Sequence, residues 1–181
     1  MAIALVVSVL LGACRVGPPP APPPADCSRS APPGAATFDS ASVGRLAGSY
    51  TLISVTTARG YGGGVDRGRL RLSANDTLAR FYVGTIRGDY RRSGDRPLAG
   101  AYEAPGRRYR DTAVVGGGVL FVGCRECMDA SPTHYRIEAA GPAGFWGRWE
   151  NYQTGGIVAV DARGRRLSNP SGYFCALRVS P

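Results

Sequence analysis

Residues 44–181 predict an all-β domain: a closed or nearly closed antiparallel β-barrel of about eight strands. Three observations carry that expectation. From Gly44 onward the apolar pattern has period two. The β-rich runs are short and are separated by turn signals at spacings of about 10–15 residues. No amphipathic helix is evident, because glycine breaks the best apolar runs every few residues; the chain holds 26 glycines and 14 prolines in 181 residues.

The first run, 49–57, reads SYTLISVTT and is rich in β-branched residues. Residues 69–72 alternate Arg and Leu, giving one wet and one dry face. Ala74-Asn75-Asp76 is a turn signal, and 77–87 resumes an apolar strand pattern, so 67–87 is the best predicted hairpin. Further strands are expected at 98–103, 119–123, 134–139, 144–152, 157–161 and 172–179. No repeat of fixed length is apparent.

The N-terminal residues differ in kind. Residues 1–13, MAIALVVSVLLGA, are uncharged and mostly apolar. A bilayer span takes roughly 20 residues, so this run has the length of a signal-peptide core instead. It ends in Leu11-Gly12-Ala13-Cys14, which resembles the lipobox of bacterial lipoproteins. No basic residue precedes the apolar run, which departs from most secretory signals. The resemblance implies cleavage before Cys14 and lipidation of that cysteine. Eight of the 14 prolines follow between Pro18 and Pro33. Proline fixes φ and lacks a donor, so an extended, disordered tether is expected over 14–43. At about 3.1 Å per residue its reach is on the order of 90 Å. The predicted organisation is signal peptide (1–13), lipidated cysteine and tether (14–43) and barrel (44–181). The lipoprotein resemblance implies a cell-envelope location with a membrane partner reached through the lipid. With Arg15 rather than Asp after the cysteine, it implies an outer membrane facing the periplasm if the cell is diderm.

The barrel opens with Gly48-Ser49-Tyr50 and closes with Tyr173-Phe174-Cys175-Ala176-Leu177-Arg178. This resembles the lipocalin barrel, whose first strand begins Gly-x-Trp and whose last region carries an Arg that packs over that ring. Tyr50 stands at the Trp position and Arg178 at the Arg position. The resemblance covers about residues 44–180. It implies a barrel with room for filled side chains or one small apolar ligand.

Residues 145–152, FWGRWENY, contain both tryptophans. Strand alternation puts Phe145, Gly147 and Trp149 on one face and Trp146, Arg148 and Glu150 on the other. Trp149 is expected inside and Trp146 outside with the charges. The inner aromatic residues Trp149 and Phe145, with Tyr50 and Arg178, are candidate ligand contacts; the competing reading is core packing.

With Cys14 lipidated, four cysteines remain, and an even number in an exported chain suggests two disulfides. Of three pairings, Cys124–Cys127 is favoured by proximity, with Cys27–Cys175 stapling the tether to the last strand. Thiol redox work at Cys124 and Cys127 is the alternative, although no helix follows to lower a thiol pKa. Zinc would need four ligands, and only His134 and a distant cysteine are available to join. No metal and no cofactor are expected.

His134 is the only histidine, no G-x-S-x-G elbow is present, and the acidic residues Glu103, Glu126, Glu138 and Glu150 are scattered singly. An enzyme is therefore not the expected reading. The glycine runs 60–64 and 116–118 lack the Lys and helix of phosphate loops and read as hairpin tips. All 22 basic residues are Arg and the formal net charge is +9. A nucleic-acid partner is not inferred, since functional basic surfaces usually mix Lys with Arg. Arg clusters at 91–96, 107–110 and 163–166 fall in predicted turns and suit contact with anionic lipid or cell-wall polymer. Two functions stay level: a lipid-anchored barrel holding a small apolar molecule or lipid, and a structural or protein-interaction lipoprotein with a filled barrel. A monomer is expected in either case.

Overall fold

The computed structural model describes residues 26–58, 61, 63–74, 98–106, 110–124, 133–151, 160 and 163–179. In chain order these form β1 (Ala36–Thr37), a 3-10 helix (Ser40–Leu46), β2 (Gly48–Thr56), β3 (Val65–Ala74), β4 (Leu98–Glu103), β5 (Asp111–Gly116), β6 (Val119–Cys124), β7 (Thr133–Gly141), β8 (Gly144–Asn151) and β9 (Ser171–Arg178). From β2 to β9 each strand pairs antiparallel with the next. β9 then returns to β2, in a register running from Tyr50↔Arg178 to Thr56↔Gly172. The result is a closed eight-stranded, up-and-down barrel, and closure removes the exposed edges that an open sheet would present.

Inward positions follow the period of two. Tyr50, Leu52, Leu70, Leu72, Leu120, Phe145, Trp149, Phe174 and Ala176 belong to one continuous core. One barrel end is stoppered by the 3-10 helix, whose Val43 and Leu46 are buried in that core. Asp39 caps the helix by accepting from the Ala41 N–H at 3.1 Å. At this same end Gly117 and Gly118 turn β5 into β6 with φ of 56° and 79°. Two successive positive φ angles are what a tight two-residue hairpin turn requires.

A strap of residues 26–38 lies across the outer wall. Cys27 is disulfide-bonded to Cys175 on β9, and Asp26 accepts both ends of the Arg67 guanidinium at 2.8 and 2.9 Å. Further on, β1 pairs with Ala139 and Ala140 of β7, which covers the stretch of β7 that extends past its pairing with β6. Beneath the strap, Cys27, Ile53, Val55, Trp146, Tyr173 and Cys175 form a second buried cluster.

These observations correct the sequence expectations at four places. The chain is docked on the barrel from Asp26 onward, not from residue 44, because the disulfide and β1 hold it there. Trp146 faces outward as alternation demands, yet it is buried rather than in water, since the strap covers it. β3 takes Leu98–Glu103 as its second partner; the expected hairpin arm 77–87 lies outside the described residues, as does most of 157–161. Strand β5 was absent from the expected set. Its sequence, DTAVVG, sits between Arg110 and a glycine run and gains its strand character from pairing on both sides with β4 and β6.

Candidate functional site

The interior of the barrel is the first candidate. Its aromatic side chains pack edge to face: Tyr50 on Phe145 with centroids 5.0 Å apart, and Tyr135 on Phe174 at 5.1 Å. The polar atoms among them are satisfied. The Tyr135 hydroxyl and Ser54 Oγ share a hydrogen bond of 3.1 Å, and Trp149 Nε1 donates to the Val55 carbonyl at 3.1 Å. Burial raises the Tyr135 phenol above its ordinary range, so it stays neutral here. The core residues retain at most 8% of their accessible surface. The inward side chains of the described strands are therefore packed against one another.

Three of the four residues expected at a ligand site fall within this packing, and the fourth, Arg178, is exposed at its end. Phe145 and Trp149 are core residues. Gly147 does not open space beside Trp149: a side chain there would collide with the Arg136 carbonyl, where β7 bulges between Ile137 and Ala139. Gly172 is the glycine that lies against the indole nitrogen of Trp149. Tyr50 and Arg178 meet at the stoppered end. The guanidinium lies 5.0 Å from the ring centroid and donates to the Tyr50 hydroxyl at 2.7 Å. It also donates to the carbonyls of Ala47 and Arg45 at 3.2 and 3.1 Å, and the Tyr50 hydroxyl donates to Leu46 O at 2.9 Å. Arg178 thus clamps the end of the 3-10 helix to the first and last strands. Arg178→Ala should lower stability by about 1–3 kcal/mol, because two carbonyls and a cation–π contact lose their partner. Chemical denaturation against Arg178→Lys, which keeps charge but not the fork, measures it.

The second candidate lies outside. A groove of about 860 Å³ is lined by outward side chains of β7 and β8, by Trp149 at its base, by Arg29 of the strap and by the segment leading into β9. On its floor Arg136 and Arg148 are register partners, as are His134 and Glu150. Arg148 pairs with Glu138 at 3.2 Å. His134 stacks edge-on against Phe121 at 4.8 Å. Burial pushes its imidazole pKa down, against the pull of Glu150. Ser168, Asn169 and Ser171 add hydroxyl and amide groups, and Asn169 Nδ2 donates to Glu150 Oε1 at 3.2 Å.

The sequence reading missed this groove as a site. Its floor was legible, since a period of two puts His134, Arg136 and Glu138 on one face. Its walls were not, because Arg29 and Ser168 are far from that strand in sequence. Of the other predicted features, Cys14 and Cys127 lie outside the described residues. The Arg cluster at 91–96 does too, and so do Arg107 and Arg108. Arg110 pairs with Glu103 at 2.7 Å, and Arg163, Arg165 and Arg166 are exposed. The segments carrying Arg110 and Arg163 both leave the barrel end opposite the 3-10 helix. Among the described residues no group of three or more His, Cys, Asp or Glu is placed to hold a metal.

Comparison with protein-family models, curated proteins and solved structures finds no match to this chain.

Proposed function

We propose that the chain is an envelope lipoprotein whose barrel is a filled structural or protein-interaction module and acts through its outer surface. The observation that carries this reading is the packed interior, in which the core side chains keep 8% exposure or less. The anchoring half of the proposal rests on the Leu11-Gly12-Ala13-Cys14 sequence and the proline-rich segment after it. Triacylation of one cysteine would supply the two or more chains that stable anchoring needs. Because the strap is docked from Asp26, the tether reduces to residues 15–25. At about 3.1 Å per residue that reaches roughly 35 Å, which holds the barrel close to the membrane.

Two measurements test the two halves separately. The wild-type chain should fractionate with membranes and Cys14→Ser should not; unchanged fractionation refutes the anchor. Titration of the full chain with a fluorescent fatty acid should show no saturable binding. Saturable binding that survives Arg136→Gln in the outer groove would instead establish an interior ligand site.

A further inference from the structure

The outer groove carries more than a structural surface requires. Arg136 and Arg148 stand directly opposite each other on β7 and β8, an arrangement of like charges that is unfavourable unless anions lie nearby. Glu138 answers Arg148. Arg136 is exposed and makes no ion pair among the described residues. Arg29 reaches the same groove from the strap. The groove therefore holds three guanidinium groups against the two carboxylates of Glu138 and Glu150, and burial keeps His134 toward its neutral form. One positive charge is left over. It matches a ligand with one carboxylate; a phosphate dianion would leave excess negative charge beside Glu138 and Glu150. At about 860 Å³ the groove is much larger than a lone ion and lies within the range of small-molecule sites. Ser168, Ser171 and the Asn169–Glu150 pair offer donors and acceptors suited to hydroxyl groups.

We propose that this groove binds an acidic saccharide bearing a single carboxylate, with Arg136 as the group that engages the carboxylate. Its planar fork presents two parallel donors to the two carboxylate oxygens. The inference does not depend on lipid anchoring or on the state of the barrel interior.

The test is calorimetric titration of the full chain with N-acetylmuramic acid and with N-acetylglucosamine, which differ by one lactyl carboxylate, and with inorganic phosphate as competitor. The acid should bind, and the neutral sugar should bind at least about tenfold more weakly. Arg136→Gln should weaken the acid by about tenfold or more, with Arg136→Lys between the two. Arg71→Gln, on the outward face of β3, should change nothing. Equal affinity for the two sugars, no binding of the acid, or displacement by phosphate at equal concentration would overturn the proposal. So would an unaffected Arg136→Gln. Unfolding midpoints are recorded for each variant. If Arg136→Gln is destabilised, Arg29→Gln decides: it should weaken the acid while leaving the midpoint unchanged, and retained full affinity counts against the site.

Discussion

Replacing Cys27 and Cys175 together by Ala should lower the unfolding free energy by roughly 2–5 kcal/mol. The bridge closes a loop with a sequence separation of 148 residues. On the chain-entropy model, a loop of that length removes about 5 kcal/mol of denatured-state entropy, the upper end of the range. A second effect adds to the first. The strap covers Ile53, Val55, Trp146 and Tyr173, and with the bridge gone its remaining hold is the surface ion pair Asp26–Arg67, the two-residue β1 with the adjoining Phe38 N–H to Glu138 O bond, and the packing of Ala31 and Ala35. Hydrogen bonding from Arg67 lowers the Asp26 pKa, but both side chains are nearly half exposed, at 47% and 44%. Exposed pairs contribute little. Urea denaturation of the oxidised and double-Ala proteins measures the loss. The Trp146 indole should report strap release as a red shift before the main transition. An unchanged midpoint with unchanged emission would show that the strap stays docked without its disulfide.

Trp149→Ala should cost about 3–5 kcal/mol, the range for deleting a buried aromatic side chain. The indole is 8% exposed and its N–H donates to the Val55 carbonyl. Trp149→Phe separates the two contributions, since it keeps much of the apolar body and removes only the donor; about 1–2 kcal/mol is expected there. Thermal and urea unfolding check both variants. A loss below about 1 kcal/mol for the Ala variant would mean that the interior is not packed as the burial indicates.

The placement of Trp149 was legible in the sequence because strand alternation is a local rule. Phe145, Gly147 and Trp149 must share a face whatever surrounds them. The inner-face side chains of β2 and β9 follow the same rule, as does the meeting of Tyr50 and Arg178 once first and last strands are adjacent. A further signal lay in the sequence unread. The runs LISV in β2, FW in β8 and YFCA in β9 are apolar on both faces, and their residues are buried on both. Strands apolar on both faces need a cover on the outside as well as a core within. Those three strands are neighbours in the barrel, and the strap is that cover.

The sequence by itself determined the quantities that depend on near neighbours along the chain: an all-β domain of short antiparallel strands, the inward and outward sets on each, and a closing contact between the first strand and the last. Tertiary structure alone decided what depends on distant residues meeting. It set how the inward side chains pack on one another, because that depends on eight strands together and not on any one. It turned half of the expected tether into a strap, because the expected Cys27–Cys175 staple fixes one point only and Ala31-Pro32-Pro33 carries no local sign of what it will lie against. It also placed Arg29, Arg136, Arg148 and Asn169 around one groove, since a groove between separate chain segments has no period for a sequence to display.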